Sequence, residues 1–243
     1  MTELHLATQD AAAQALREAR LAVLPLGATE AHGAHMPLGT DTLLAERLAR
    51  RYMAALPCPA VLLPAMPYGP MWSTAHFPGS LPIGRGVLVQ LLTDLAQALA
   101  RQGVAMLAVV NGHYGNREAI TEAQRLVQEQ GVTLLGFTYP GAEAAAETLR
   151  ESPQAQPGLM HACEIETSFL LALAPEHVAM QHAAANYPRF PDSFAAAPQR
   201  WDRFSLSPVL GDPTCATAAK GEAILQAVVA RMVALTEAAL EGR

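Results

Sequence analysis

The stretch LAVLPLGATEAHGAHMPLGTD, residues 21–41, contains the strongest indication of the fold. Its first seven residues, LAVLPLG, are apolar up to a glycine, which is typical of a strand that is buried on both faces of a parallel sheet. Its last two residues, Thr and Asp, begin a helical pattern. Glu30, His32 and His35 stand between the strand and the helix. A loop rich in metal-binding side chains is therefore expected where a buried strand ends.

The alternation of strand and helix continues along the chain. A strand followed by a helix, repeated several times, favours a mostly parallel central sheet with helices on both faces. We therefore predict an α/β fold, a single-domain three-layer α/β/α sandwich that spans residues 1–243. The predicted strands are residues 21–27, 59–69, 106–112 and 131–140, and the predicted helices are residues 40–56, 84–103, 116–131 and about 216–242.

The composition indicates a compact protein. Apolar residues make up 51% of the chain and charged residues only 16%, which argues against a disordered tail. A surface with so few charges often buries apolar area between subunits, so we expect a homo-oligomer. The net charge is −6 and the 16 basic residues are scattered, which argues against a nucleic-acid partner.

The N-terminal sequence indicates a cytoplasmic protein without a membrane partner. It lacks the basic start and apolar stretch of a signal peptide, and we find no run of roughly 18 apolar residues. The three cysteines are Cys58, Cys163 and Cys215, and none forms a CxxC pair. Neither a disulfide framework nor a thiolate zinc site is indicated. A metal in this protein would therefore use nitrogen and oxygen ligands.

Polar clusters fall at the ends of the predicted strands, where open α/β sheets bind their ligands. The first strand is followed by Glu30, His32, His35 and Asp41, and the third by Asn111, His113, Tyr114 and Asn116.

A third cluster, HACEIETS at residues 161–168, opens an apolar helix. If this segment is already helical, its period of 3.6 puts His161, Glu164 and Ser168 on one side and turns Glu166 away. We therefore predict that His161 and Glu164 face one pocket.

Five of these residues form a candidate ligand set of three carboxylates and two imidazoles, which suits Zn²⁺ or Mn²⁺. Five protein ligands exceed what one catalytic zinc uses, and a carboxylate that bridges two ions would account for the surplus. The predicted metal ligands are Glu30, His32, Asp41, His113 and Glu164.

Simpler interpretations stay open for several of these residues. Asp41 at a helix start could be only a capping carboxylate, and Asn111 could belong to a turn that ends a strand. Glu166 either orients a ligand histidine or lies on a helix surface, and His35 lines the pocket or supports a ligand. The chain has no GxGxxG, GxxxxGK[ST] or GxSxG pattern, so neither a phosphate loop nor a serine nucleophile is indicated.

Five ordered segments between about residue 21 and residue 221 resemble the creatininase family of metal-dependent amidohydrolases. They are LPLGATEAHGAHMPLGTD, YGPMWSTAHFPGSL, VVNGHYGN, HACEIETS and GDPTCATAAKG. The resemblance implies a homohexamer with two divalent ions per subunit (Zn²⁺ or Mn²⁺, with Fe²⁺ as a further option) that hydrolyses C–N bonds of small amides or cyclic ureas.

The resemblance also implies a role for each site residue. Glu30 and His113 would hold one metal, and His32 and Glu164 the other. Asp41 would bridge both ions, and His161 would act beside them as the catalytic proton-transfer residue.

Two departures from the family pattern argue against creatinine as the substrate. Creatinine-hydrolysing members carry a glutamate where this chain has Gly115, and they place tryptophans in a region, residues 115–160, that contains none here. The alternatives are a formamide deformylase, a metallopeptidase that acts on a short peptide, or a non-catalytic protein that binds a small ligand. The residues predicted to contact the substrate are Trp72, Ser73, His76, Tyr114 and Asn116.

Overall fold

Five parallel strands form the centre of the molecule, in the spatial order β1-β3-β2-β4-β5. The structure is a computed structural model that describes residues 2–242. Residues 1 and 243, the two ends of the predicted domain, lie outside this range, and the prediction of one domain over 1–243 stays a prediction. The strands are β1 (Thr2–Glu3), β2 (Leu21–Leu26), β3 (Ala60–Leu62), β4 (Met106–Asn111) and β5 (Thr133–Phe137).

Helices cover both faces of this sheet. The buried side chains of α2, α5, α6 and α7 form one apolar cluster with one face, and those of α1, α3 and α4 form a second cluster with the other face. The predicted three-layer α/β/α arrangement is therefore confirmed. The helices are α1 (Gln9–Glu18), α2 (Thr40–Ala55), α3 (Arg85–Arg101), α4 (Arg117–Gln128), α5 (Ala142–Ala146), α6 (Glu164–Leu173) and α7 (Ala218–Glu241).

Strand β2 shows why a continuous apolar run predicts a strand that is buried on both faces of the sheet. Leu21 and Val23 pack into the first cluster, whereas Ala22 and Leu24 pack into the second. Successive side chains of a strand point to opposite faces, and here both faces are buried. All six residues of β2 are buried.

Two predicted strands are shorter than expected. The predicted strand 59–69 is regular only in β3, because Pro64 has no N–H for the ladder. Beyond it, Met66 pairs with Leu26 as an isolated bridge. The predicted strand 131–140 ends at Phe137, and Tyr139 has a left-handed backbone with φ of 47°.

Strand β1 and helices α1 and α5 were not predicted. Only Leu16 of α1 is buried, and the other apolar residues of this helix are alanines, so no large apolar side chains mark its inner face. Thr8 nevertheless caps this helix by accepting a hydrogen bond from the backbone N–H of Ala11.

Helix α7 has the length and hydropathy of a membrane span, a feature that the sequence analysis overlooked. An 18-residue window within it has a mean hydropathy of 1.6. Ile224, Val228 and Met232 of this helix lie in the core. Core helices of globular proteins meet the same two criteria, so length and hydropathy alone do not distinguish a membrane span from a core helix.

The order of the strands creates a switch point between β2 and β4. After β2 the chain forms β3 on one side of it and then returns to form β4 on the other side. The loops that follow β2 and β4 therefore diverge and leave a crevice, which is where ligands bind in such sheets.

Two glycines let the start of α2 close the floor of this crevice. A Cβ atom at Gly27 would lie 2.4 Å from the backbone nitrogen of Thr42, and one at Gly112 would lie 2.1 Å from the carbonyl oxygen of Asp41. Any larger residue would push the helix away. The glycines at the ends of β2 and β4 thus place Asp41 between the two strands.

Candidate metal centre

Side chains from four separate segments meet at this crevice. Glu30 and His32 come from the loop after β2, Asp41 from the first turn of α2, His113 from the residues after β4 and Glu166 from the first turn of α6. All five are buried. They form two ligand groups whose ligand-type atoms lie within 4.8 Å of one another: the first is Glu30, Asp41 and His113, and the second is His32, Asp41 and Glu166. A further group that meets the same criterion joins Glu30 and His32 to His161.

Both imidazoles are oriented by backbone carbonyls. His32 donates from Nδ1 to the carbonyl oxygen of Glu30 at 3.0 Å, and His113 donates from Nε2 to that of Pro70 at 3.1 Å. A carbonyl oxygen only accepts hydrogen bonds, so each of these nitrogens must carry a proton. The second nitrogen of each neutral ring is then a free lone pair that faces the carboxylates, as in metal-binding histidines.

When both imidazoles are neutral, several buried atoms of this cluster face one another without hydrogen bonding. Nδ1 of His113 lies 2.9 Å from Oε2 of Glu30 and 3.0 Å from Oδ2 of Asp41, and Nε2 of His32 lies 3.1 Å from Oδ1 of Asp41. Within residues 2–242, Glu30 Oε2, His32 Nε2 and Asp41 Oδ2 have no hydrogen-bond partner. Leaving such an atom unsatisfied costs about 1–3 kcal/mol. A cation among these atoms would satisfy them together.

The donor chemistry fits a divalent metal. Carboxylate oxygens and neutral imidazole nitrogens are ligands that suit Zn²⁺ and Mn²⁺. Each of the two groups offers three ligand atoms, and Asp41 belongs to both. A carboxylate shared between two such groups is the arrangement that two-metal hydrolases use.

In the absence of a cation, the buried charges of the cluster shift the pKa values of its own side chains. Burial disfavours charge on His32, but Asp41 and Glu166 outweigh it and raise the pKa of this imidazole to about 10. Burial of His113 is likewise outweighed by Glu30 and Asp41, which hold the pKa of His113 well above its usual value. Burial raises the pKa of Glu166 to about 7, against the opposing effect of His32. The cluster therefore stores protons that a cation would displace.

Metal binding is expected to release at least about two protons near neutral pH, one from each of His32 and His113 and a further fraction from Glu166. Both imidazoles have raised pKa values, so they are protonated at pH 7, and their protons compete with the metal. Affinity should therefore fall as the pH falls. Titration calorimetry in buffers of different ionisation enthalpy measures the released protons, and a heat that is independent of the buffer would contradict this prediction.

The structure corrects the prediction for Glu164. Its carboxylate accepts hydrogen bonds from the backbone N–H groups of Glu151 and Ser152, the latter at 2.7 Å, and from Nζ of Lys220 at 2.6 Å. These partners lie away from the ligand cluster. Glu166, which the sequence analysis left open, occupies the place that was expected for Glu164.

Glu166 lies at the cluster in place of Glu164 because of the position at which helix α6 begins. The prediction assumed that residues 161–168 are all helical, but α6 starts at Glu164. Ala162, with φ of 50°, turns the chain sharply before the helix. The helical period therefore does not relate His161 to Glu164. The backbone N–H of Ala162 instead donates to the Glu166 carboxylate and holds it toward the cluster.

His161 lies beside the cluster with one nitrogen free. Its Nε2 donates to the carbonyl oxygen of Ala31 at 2.9 Å, and its ring centroid lies 4.4 Å from that of His32 and 5.5 Å from that of Trp201. Burial lowers the pKa of His161, so the ring is neutral at pH 7. A neutral imidazole whose Nδ1 is free can accept a proton.

His35 supports the cluster from behind. Its Nε2 lies 3.0 Å from the hydroxyl of Thr167, the residue next to Glu166, and its backbone carbonyl accepts a hydrogen bond from Ala179. Burial lowers the pKa of His35 to about 4, so it is neutral. His35 thus packs against the start of α6.

A cavity of about 550 Å³ opens above the cluster, with Glu30, Asp41, His113 and Glu166 among its lining residues. Three of the five predicted substrate-contacting residues line it as well: Trp72, Ser73 and Tyr114.

The other two residues predicted to contact the substrate, Asn116 and His76, are not among the residues that line the cavity. Asn116 is fully buried and donates to the carbonyl of Gly27 and to the side chain of Asn111, so it ties together the ends of β2 and β4. The exposed His76 contacts Arg200 instead.

The sequence indicates that the stretch 186–205 contributes aromatic lining to the pocket, but it does not single out Trp201. This residue lines the cavity, stacks edge-on against His161 and is held by a hydrogen bond from its backbone N–H to the carbonyl of Ser73. It comes from the irregular stretch 186–215, where no periodicity indicates which aromatic side chain points inward. Only the backbone contact with Ser73 determines this.

Comparison with known proteins gives consistent matches along the chain. A family model described as creatinine amidohydrolase matches residues 5–236. Two mycofactocin precursor peptide peptidases are similar: that of Mycolicibacterium smegmatis is 31% identical over 86% of this chain and 81% of its own, and that of Mycobacterium tuberculosis is 34% identical over 85% and 80%. The creatinine amidohydrolase of Pseudomonas putida is 30% identical over 85% of each chain.

Solved structures match the fold as well. A mutant creatininase superimposes with a TM-score of 0.83 at 25% identity and covers 97% of this chain and 98% of its own. A structure described as the manganese form of creatininase superimposes with a TM-score of 0.78 at 25% identity, over 97% of each chain.

Proposed function

The chain belongs to the creatininase family, and from this premise we propose that it is a hydrolase that uses two divalent ions to break a C–N bond of a small amide or cyclic urea. The observation that carries the proposal is the buried donor set. Unsatisfied atoms of Glu30, His32 and Asp41 meet at the floor of a cavity that is large enough for a substrate.

The proposed ligands are the five residues of the two groups. Glu30 and His113 would hold one ion and His32 and Glu166 the other, and Asp41, which belongs to both groups, would be shared between them. Two divalent ions held there would lower the pKa of a bound water toward neutrality and would polarise the carbonyl of the substrate. Glu166 here replaces Glu164, the ligand that the sequence suggested.

The chain itself holds the reacting groups in place. Backbone carbonyls at Glu30 and Pro70 fix the ligand imidazoles, and Thr74 donates a hydrogen bond to the Glu30 carboxylate. Fixed orientation of this kind removes reorganisation from the reaction. The aromatic side chains of Trp72 and Tyr114 line the cavity, and we propose that they contact the substrate.

His161 is the proposed proton-transfer residue. It is neutral, lies in the cavity wall and has Nδ1 free while Nε2 is held by Ala31. It can take a proton from the attacking water and give it to the departing nitrogen, a contribution of about 10²–10⁴-fold to the rate.

The remaining features of the proposal rest on composition and on the family. We propose Zn²⁺ or Mn²⁺ as the metal, with Fe²⁺ as an option. We also propose a homo-oligomer, by family analogy a hexamer, that works in the cytoplasm on a small molecule and needs neither nucleic acid nor membrane. The net charge of −6 supports the exclusion of nucleic acid.

A second candidate is hydrolysis of a peptide bond in a short peptide. Two observations favour it. The cavity of about 550 Å³ lies in the range of pockets that hold ligands larger than a single ring. Two relatives that are 31% and 34% identical are named as peptide peptidases. The same donor set would serve either reaction.

The experiment that tests the proposal is a substrate screen of the metal-loaded protein against cyclic ureas, formamides and short peptides, with a chelator-treated sample as control. Turnover that is lost on chelation and restored by Zn²⁺ or Mn²⁺ is expected. Turnover that is unaffected by chelation would contradict the proposal.

His161→Ala distinguishes an enzyme from a binding protein. We expect this variant to keep its metal and to lose about 10²–10⁴-fold in kcat toward any substrate found in the screen. Metal content by elemental analysis and kcat are measured on the same sample. An unchanged kcat would favour the non-catalytic alternative.

A further inference from the structure

Glu164 and Lys220 form a buried ion pair that the proposed reaction does not use. Glu164 is 1% exposed and Lys220 is 8% exposed, and Nζ of Lys220 lies 2.6 Å from the Glu164 carboxylate. The lysine also donates to the carbonyl of Cys215 and contacts Glu151. A buried ion pair is often no more stabilising than an apolar pair of the same size, so stability alone does not account for it.

The pair holds one end of a segment that forms part of the cavity wall. The Glu164 carboxylate accepts hydrogen bonds from the backbone N–H groups of Glu151 and Ser152. The residues that follow, 153–160, are here called the wall segment, and its last three residues line the cavity. Its other end is held at His161, whose carbonyl accepts a hydrogen bond from Leu210.

The wall segment touches the aromatic residue beside His161. Ala155 and Leu159 pack against the apolar cluster that contains Trp201 and Leu210. A displacement of the wall segment would therefore change both the width of the cavity and the environment of Trp201.

We propose that Glu164, paired with Lys220, is a positioning residue that anchors the wall segment and so sets the fit of the substrate in the cavity. The pair links the beginning of α7 to the beginning of α6, the helix that also carries Glu166. The role in substrate fit rests on the proposed function, whereas the anchoring itself does not.

The test uses the double variant Glu164→Met/Lys220→Met, which removes both charges together. Because neither charge is left unpaired, the fold should be retained. For fluorescence, the variant is made in a Trp72→Phe background, in which Trp201 is the one remaining tryptophan of the chain. Metal content and kinetics are measured with Trp72 present, because Trp72 is a proposed substrate contact. Val127→Ala, a cavity-forming change in the core on the other face of the sheet, is the control for general loss of stability.

The expected result has three parts. Emission of Trp201 shifts to longer wavelength, backbone hydrogen exchange in the wall segment accelerates, and metal content stays the same. With a substrate from the screen, KM rises about tenfold or more while kcat changes about twofold or less, as for loss of uniform binding. The Val127→Ala control should show none of these changes.

The inference is overturned if Trp201 emission and exchange in the wall segment match those of the parent protein. If the double variant does not fold, Glu164→Met, which removes the anchor and leaves Lys220 paired with Glu151, is measured in the same way, with the same two readouts deciding. Emission and exchange need no substrate, so they test the anchor even if the wild type turns over nothing in the screen, which would be a failure of the proposed function alone.

Discussion

Replacing Asp41 by asparagine is expected to abolish metal binding at both positions and to lower activity at least about 1,000-fold. Its two carboxylate oxygens lie 3.1 Å from His32 and 3.0 Å from His113, so it is the side chain that both ligand groups share. Loss of metal assistance removes several kcal/mol of transition-state stabilisation, and each 1.36 kcal/mol is about tenfold in rate. Elemental analysis and kcat/KM on the same sample measure both effects.

Asp10→Asn is the matched control, because Asp10 also lies in the first turn of a helix but is exposed. It should leave metal content and activity unchanged. Full retention of two ions by the Asp41 variant would remove the bridging role and leave Asp41 as a helix-start carboxylate only.

Glu166→Gln is expected to lose one ion per chain and most of the activity, yet to keep the stability of the metal-free protein. Its carboxylate lies 3.7 Å from Nε2 of His32 in the second ligand group. Burial has already raised the pKa of Glu166 to about 7, so a neutral amide there removes a poorly solvated charge. Metal content by elemental analysis and thermal unfolding after chelation check the two parts.

Glu164→Gln serves as the comparison variant: it should lower the stability of the protein and leave metal binding unchanged. It removes the buried charge partner of Lys220 and leaves only the exposed Glu151, which costs up to about 3 kcal/mol and lowers Tm by at most roughly 6–12 °C for a chain of this size. Two ions should remain bound. If instead Glu164→Gln loses an ion and Glu166→Gln keeps both, the ligand assignment is wrong.

The sequence predicted the central part of the fold because the elements there are decided locally. Runs that are apolar on both faces, such as β2, have no alternative to burial in a parallel sheet. Strand β1 was not predicted, since two residues become a strand only through pairing with Val61 and Leu62. Helix α1 exposes most of its residues, and Leu16 is its one large apolar side chain, so its apolar face was too weak to indicate it.

The candidate site also has one part that the sequence predicts and one part that it does not. The meeting of Glu30, His32, Asp41 and His113 follows from topology, because the carboxyl ends of adjacent parallel strands lie at one edge. The choice between Glu164 and Glu166 depends on a left-handed backbone at Ala162. Alanine rarely adopts that conformation, and Cys163 gives no capping signal to mark the helix start. Only the three-dimensional structure could decide it.

Anomalous diffraction from crystals of the metal-loaded protein, recorded at the absorption edges of zinc and manganese, tests the central claim most directly. Two peaks per chain are expected, one about 2.0–2.2 Å from ligand atoms of Glu30, Asp41 and His113, and one at the same range from His32, Asp41 and Glu166. A single peak, or a peak bound by Glu164, would contradict the two-ion site described above.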